Sequence, residues 1–438
     1  MSFNSEKALN VEDLRKLARR RLTKGLFEFC DRGSEDDIAL HHNRIALERI
    51  KLRSRILNDT SSRHTRSQIF GQTTEMPVII GPTGPAGFVW YRGELALAKA
   101  AKKAGIPFTL ASTSNTPMER IVEEGGGRQW YHLYIWRDME TSLEAIPRAK
   151  AAGFEALVLT VDSTVPYNRE FDVRNGTSFP IRLTPRNIAD VLTHPRWLFG
   201  TACRYVLADG HLPKYVNIKI PENLSATGVR DFLFKNDSLD WEFLKRIREM
   251  WPNKLIVKGI MHPNDAAKCL EAGADAIVVS NHGGIASDAA LASIDVLPEI
   301  KREVGDKVTV IVDSGFRRGS DILKGLALGA DAVIIGRATL YGVAAAGEAG
   351  AVRALEILRA EIQRTMGVMG LTSLNEITRG HVVTPHEYPL WTNIRSPDSN
   401  AANKTDCLRL PSRVNGSIPS FAIAAFPLKI NFDFLNMF

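Results

Sequence analysis

His282 follows the apolar run Ala276–Val279, directly after Ser280 and Asn281 and ahead of Gly283 and Gly284. Imidazole is the side chain that exchanges protons near neutral pH, and two glycines behind it let a ligand approach without side-chain obstruction. A lone histidine in such a place reads equally well as a hydrogen-bonding residue of the core, so its company decides. Other apolar runs also end in polar residues: Pro82-Thr83-Gly84, Ser112, Tyr134, Thr160 with Asp162 and Arg169 beyond it, Lys258, Asp313-Ser314-Gly315 and Gly336-Arg337. Singly, each has an ordinary reading: Lys258 as a solvated strand end, Asp162 as a loop cap. Polar groups at the end of nearly every run point instead to a shared site.

Two glycine loops add a second chemistry. Gly315-Phe316-Arg317-Arg318-Gly319-Ser320 opens a helix after one apolar run, and Gly336-Arg337 follows the next. Free amides at a helix start, glycine access and two arginines suit a phosphate monoester. Either loop alone would pass as an ordinary turn. Together they point to a phosphate-bearing cofactor.

The elements that must hold these residues repeat along the chain. Lys103-Ala104-Gly105 precedes Pro107–Leu110, and Ala151-Ala152-Gly153 precedes Ala156–Leu159. Glu271-Ala272-Gly273 precedes Ala276–Val279, and Ala327-Leu328-Gly329 precedes Ala332–Ile335. Each is a helix stopped by glycine, then a strand apolar on both faces, as in a parallel sheet covered by helices. The strands Met76–Ile80, Pro107–Leu110, Trp130–Ile135, Ala156–Thr160, Leu255–Lys258, Ala276–Ser280, Val308–Val312 and Ala332–Ile335 predict an α/β fold, a (β/α)8 TIM barrel. Such barrels carry their site at the C-terminal strand ends and often hold phosphate after the last two strands. A doubly wound sheet would need a GxGxxG after an early strand, and Gly125-Gly126-Gly127 precedes a strand instead.

Three segments fall outside that scheme. Residues 1–70 read as a helical, basic cap on a barrel spanning 71–383. Residues 180–235 form a long insertion after strand four, where Arg182, Arg186, Arg196, Arg204, Lys214 and Lys219 lie among aromatics. It reads as an active-site lid or a membrane-associating segment. Residues 384–438, rich in Pro, Asn and Ser before turning apolar, read as a poorly ordered or docking tail.

With 44% hydrophobic and 24% charged residues among 438, the chain has ample core material, and its net charge of +7 accompanies no nucleic-acid motif. Cys30, Cys203, Cys269 and Cys407 are too scattered for a zinc site or redox pair, which suits a reducing compartment. Met1–Arg21 has no signal-like apolar core, so a cytoplasmic protein is expected, with peripheral membrane contact through 180–235 as a variant.

On these residues the chain resembles the FMN-dependent α-hydroxy-acid dehydrogenase and oxidase family, which includes flavin-type mandelate and lactate dehydrogenases and glycolate oxidase. The similarity covers roughly residues 8–383. It is most specific at Ile80-Gly81-Pro82-Thr83-Gly84, Lys258-Gly259, Ser280–Gly284, and Asp313–Asp321 with Gly336-Arg337. The resemblance implies FMN across the barrel mouth, its phosphate at Gly315, Arg317, Gly336 and Arg337 and its ribityl chain at Asp313. Pro82, Thr83, Gly84, Ser112, His132, Thr160, Ser280 and Lys258 would lie toward the flavin. It also implies His282 as base, Asp162 as its partner, Tyr134 on the reacting oxygen and Arg169 beside the substrate. A homotetramer is implied as well. The electron acceptor (a quinone, O2 or another) is not legible, although Gly84, often alanine in the oxidases, leans to a dehydrogenase.

The pattern breaks where substrate would bind. An arginine that clamps the substrate carboxylate is here Ile285, and a tyrosine that shares that role is read here as Phe27. Toward the flavin, a glutamine becomes His132 and a serine becomes Ala111. An aliphatic side chain cannot replace a bidentate arginine. The expectation is a working flavoenzyme that oxidises a CH–OH group beside a carbonyl. Its substrate is a 2-hydroxy acid or, given the apolar pocket, an ester, amide or biosynthetic intermediate without a free carboxylate. An FMN-barrel isomerase and a non-catalytic FMN-binding protein are the alternatives.

Overall fold

The computed structural model describes residues 4–177, 184–220 and 236–387. Eight short strands form its centre: β1 (Val78–Ile80), β2 (Phe108–Ala111), β3 (Gln129–Leu133), β4 (Ala156–Thr160), β5 (Lys254–Ile260), β6 (Ala276–Val279), β7 (Thr309–Val312) and β8 (Ala332–Ile335). All pair in parallel, each with the next, and β8 closes on β1 through Val333 opposite Val78. The expected (β/α)8 barrel is therefore the fold. Strand side chains alternate between two faces. One set, including Ile79, Trp130, Val158, Ile256, Val278, Ile311 and Ile334, fills the barrel interior. A hairpin (Ser67–Ile69 with Gln72–Thr74) floors it, with Phe70 against Trp130 at 5.6 Å between ring centroids. The alternate set, such as Val78, Ile80, Leu110 and Val312, packs outward against the helices.

Three helices, α1 (Val11–Arg21), α2 (Lys24–Asp31) and α3 (Ile38–Arg49), precede the barrel. α1 starts at Asn10, whose side chain accepts from the amide of Asp13 at 2.9 Å, and it packs against the helix that follows β8. Arg21 is buried there. Its guanidinium donates to Val89 O at 2.6 Å and to Thr201 Oγ1 at 2.8 Å, which ties α1 to the barrel and to the insertion.

The described part of the insertion is helical, with turns at Pro185–Leu192, Pro195–Trp197 and Cys203–Asp209. No residue of Pro185–Leu192 is buried. Residues 178–183 and 221–235, with the expected cation Arg182, lie outside the described residues. The chain divides into two compact units, Met1–Val383 and Thr384–Phe438. Of the second, only the turn around Pro385–Glu387 is described, so the expected tail and Cys407 lie outside the described residues.

Candidate active site

β6 ends at Val279, and the next four residues turn sharply over the barrel mouth. Ser280 Oγ accepts from Lys258 Nζ at 3.0 Å and from the amide of His282 at 3.1 Å. His282 itself sits at φ 58°, a left-handed conformation that non-glycine residues seldom adopt, and Ser314 beside it at φ 77°. Two such strained residues at one mouth are held by their surroundings. Gly283 N donates to Ser314 Oγ at 3.0 Å, and Ser314 Oγ donates to Asp313 Oδ1 at 2.8 Å.

The imidazole is gripped on both nitrogens. Nδ1 lies 2.9 Å from Asp162 Oδ1, and Nε2 lies 3.0 Å from the Tyr134 hydroxyl. Asp162 comes close because the residue facing it is Gly259: a Cβ there would stand 2.5 Å from Asp162 Cβ. Gly259 also sits at φ 110°, at the irregularity between β5 and β6. Lys258 is buried at 3% exposure, its Nζ 3.9 Å from Asp162 Oδ2, 3.7 Å from Asp313 Oδ2 and 3.4 Å from His282 Nδ1. Burial by itself would raise the Asp162 carboxyl, but Lys258 and His282 hold it at about 2. Burial and Lys258 push His282 below the ordinary 6.5 against the pull of Asp162. Asp162 is thus an ionised acceptor, Nδ1 carries the proton it donates, and Nε2 is left as the basic nitrogen.

A cleft opens over this group. Its inner wall is Pro82, Thr83 and Gly84 after β1, Lys258, Asp313 to Gly315, Arg317, Gly336 and Arg337. Its outer lip is Phe29, Cys30, Tyr134, Tyr167, Arg169 and Ile285. Ser112, His132, Thr160 and Ser280, expected against a flavin, stand behind this wall rather than in it. Ser112 Oγ accepts from the amide of Tyr134 at 3.4 Å, and His132 Nε2 lies 2.7 Å from Thr160 Oγ1. Their bonds run to one another and to the residues in front.

Phe27 is not in the cleft. On α2 it lies under Arg15 and Arg19, each guanidinium 5.8 Å from its ring, and it is Phe29 that reaches the lip. Two residues along a helix are about 200° apart, so only one of the two phenylalanines can face the barrel. Tyr167, five residues past Asp162 on an irregular loop, also lines the lip, and no periodicity or spacing signals it. Arg169 reaches the lip with its charge balanced: Nε donates to Asp172 Oδ2 at 2.7 Å and Nη2 to Phe29 O at 2.6 Å.

The phosphate end differs from the expected cradle of free amides. The amides of Arg317 and Arg318 both donate to Asp321 Oδ2 at 3.0 Å, and that of Gly319 donates to Glu361 Oε2 at 2.7 Å. Arg337 is likewise engaged, donating to Cys30 O at 3.0 Å, Gly283 O at 2.8 Å and Arg32 O at 2.8 Å. Its burial lowers its pKa to about 10. Toward an anion the cleft still presents the Arg317 guanidinium, although its Nη1 donates to Phe316 O at 2.9 Å, and the first turn of the helix Arg337–Met369, whose amides have no acceptor within the helix. Thr83 Oγ1 is buried in the wall without a partner, a polar atom that a bound group would satisfy. The donor set fits a flavin mononucleotide.

A model of the FMN-dependent dehydrogenase family matches residues 18–384. The chain is 37% identical to (S)-mandelate dehydrogenase of Pseudomonas putida over 377 residues, 85% of this chain and 93% of that one. It is 39% identical to a putative L-lactate dehydrogenase of Mycobacterium tuberculosis over 376 residues, 86% of this chain and 89% of that one. A crystal structure of (S)-mandelate dehydrogenase, described as a monotopic membrane protein, superposes with TM-score 0.81 at 37% identity, covering 86% of this chain and all of that one. A mandelate oxidase variant solved with 2-hydroxy-phenylacetamide superposes with TM-score 0.69 at 34% identity, covering 84% and 96%. Mouth, cleft and sequence agree: the chain belongs to the FMN-dependent dehydrogenases, oxidoreductases related to mandelate and lactate dehydrogenase.

Proposed function

We propose that this enzyme oxidises the CH–OH group of an α-hydroxy ester or amide to the keto product, with His282 as base. The observation that carries the reading is the lip of the cleft. Ile285 and Phe29 stand where the family resemblance leads one to expect an arginine and a tyrosine on the substrate carboxylate, and the Arg169 charge is already met by Asp172. A carboxylate buried against Ile285 without a cation would lose about 3 kcal/mol, roughly a hundredfold in affinity. A neutral acyl group avoids that loss.

Bound FMN would supply the two-electron acceptor for the hydrogen leaving the α-carbon. Arg317 and the start of the helix at Gly336-Arg337 would hold its phosphate, and Thr83 would face it from the inner wall. His282 Nε2 takes the proton of the substrate hydroxyl, in place of the Tyr134 contact seen at 3.0 Å. The ionised Asp162 carboxylate, 2.9 Å from His282 Nδ1, stabilises the imidazolium that results. Lys258 offsets the negative charge that reduction brings to the site. Ser280 holds both Lys258 and His282 in place.

The test is anaerobic bleaching of the flavin by a panel that pairs free 2-hydroxy acids with their esters and amides. Neutral substrates should bleach at least about tenfold faster at equal concentration. Rapid bleaching by lactate or mandelate, with their amides inert, would overturn the reading.

We propose further that the insertion docks on an anionic lipid surface. Leu192 and Phe199 are each 66% exposed and Leu207 87%, close in sequence to Arg186, Arg196 and Arg204. A monotopic structural neighbour supports this placement. The holoenzyme should co-sediment with vesicles containing phosphatidylglycerol, and Phe199→Glu with Leu207→Glu should weaken that binding roughly fivefold or more. Wild-type protein that stays in the supernatant would exclude it.

A further inference from the structure

The cap helix α3 meets the barrel mouth at two glycines. A Cβ on Gly284, which sits at φ 77°, would stand 2.5 Å from Leu40 N, and one on Gly315, at φ 88°, would stand 2.9 Å from Asn43 O. The histidine turn after β6 and the phosphate loop after β7 thus each spend a glycine on making room for α3. Two successive residues of α3 then grip the two loops. Asn43 Nδ2 donates to Asn281 Oδ1 at 3.0 Å, and Asn281 Nδ2 donates back to Asn43 Oδ1 at 2.9 Å. Arg44 Nη1 donates to Gly315 O and to Asp321 Oδ2, both at 2.6 Å.

The amide pair is buried, Asn43 at 1% exposure and Asn281 at 2%. The Asn281 carboxamide is fully used: Oδ1 also accepts from Gly284 N at 3.1 Å, and Nδ2 also donates to Leu291 O at 2.9 Å. Turned over, its Nδ2 would face the Gly284 N–H, so the pair has one orientation. His282 lies between these anchored residues, and residues 282 to 284 are all left-handed. Such a turn keeps its shape only where its surroundings impose it. At the other grip, Asp321 Oδ2 also takes the amides of Arg317 and Arg318 at 3.0 Å, so Arg44 anchors the carboxylate that shapes the loop bearing Arg317. Neither Asn43 nor Arg44 lines the cleft. We infer that α3 positions both halves of the chemistry: Asn43 is a positioning residue for His282, and Arg44 is one for the phosphate loop that would hold FMN. The Asn43 half rests on the proposed role of His282 as base.

The experiment uses full-length holoenzyme and whichever panel member, acid, ester or amide, reduces the wild-type flavin fastest. Anaerobic reduction gives the limiting rate, and flavin fluorescence on dilution gives the FMN dissociation constant. Asn43→Ala should lower the limiting rate at least about tenfold, the cost of a misplaced base. Its FMN dissociation constant should stay within about twofold of wild type. Arg44→Ala should do the reverse, raising that constant about tenfold with the limiting rate at saturating FMN within about twofold. Variants that each lose rate and FMN together would report only a loosened cap and overturn the inference.

Asn43→Asp adds a signature that loosening cannot mimic. A protonated carboxyl repeats the donor and acceptor of the amide, whereas the carboxylate sets oxygen against Asn281 Oδ1. Its limiting rate relative to wild type should therefore fall at least about threefold as pH rises from about 5 to 9. The surrounding charges, Arg44, Asp321, Lys324, Asp288 and the His42–Asp295 pair, are common to both proteins, so the ratio reports the new carboxyl. A flat ratio, or an Asn43→Ala rate like that of wild type, overturns the role of Asn43, and a loss in His282→Ala then leaves the base standing. A rate retained by His282→Ala overturns the base and the Asn43 half together. An Arg44→Ala enzyme that holds FMN as the wild type does overturns the other half.

Discussion

The inner wall of the cleft is charged, glycine-lined and interlocked, whereas its outer lip sets the apolar Phe29 and Ile285 beside two phenols and the Arg169–Asp172 pair. On the inner wall, Lys258 meets Asp162 and Asp313, Ser314 bridges Asp313 and Gly283, and Gly259 leaves no room for a Cβ. On the lip, Ile285, Phe29 and Tyr167 come from three separate segments and hold no buried ion pair among themselves. A change on the inner wall strands a charge or forces backbone apart. A change at Phe29 or Ile285 alters only what fits. Substrate preference can therefore move while the redox half of the site stays fixed, even though His282 and Ile285 are only three residues apart.

The largest effect that would break this division is at the base. His282→Ala should lower the limiting rate of flavin reduction by about 10²- to 10⁴-fold, with the bound flavin spectrum intact. Retained turnover would remove His282 from the role. In the wild type, the same nitrogen sets an acid limb. Since the His282 pKa is depressed, the base is free at neutral pH and the rate should fall only as pH drops below the ordinary histidine value of 6.5. Tyr134 and Tyr167, both raised, should add no limb below pH 10. A smaller effect sharpens the contrast from the other side. Ile285→Arg should lower KM for free 2-hydroxy acids roughly tenfold and leave FMN content unchanged. If acids gain nothing, the lip is not where a carboxylate would lie.

The two walls also differed in how far they could be read from sequence. The barrel was legible because four helices end at or just before a glycine and are followed by strands apolar on both faces, a local pattern repeated along the chain. His282, Lys258, Asp162 and Tyr134 were legible because each closes such a strand. Phe29 was misassigned as Phe27 because choosing a helix face requires knowing what the helix packs against. The occupied amide of Gly319 and the engaged guanidinium of Arg337 escaped because their partners lie 42 and 307 residues away, whereas Asp321, which takes the Arg317 amide, is only four residues on and could have been read as a cap. Tyr167 escaped because an irregular loop has no period.

Those distant partners of Arg337 have a consequence for how the enzyme is made. Its guanidinium joins Cys30 and Arg32 of the first hundred residues synthesised to Gly283 beside the base, and it is itself among the last residues of the barrel to leave the ribosome. Contacts that span so much chain form late, after the entropy of closing the loop has been met. Until then, the carbonyls of Cys30, Arg32 and Gly283 lack this donor, and the cap holds the turn bearing His282 through Asn43 and through Ser34, whose amide donates to Gly284 O at 3.0 Å. A chain ending short of residue 337 would therefore carry His282, Asp162, Lys258 and Tyr134 and still lack the three Arg337 bonds that join the cap to the turn beside the base.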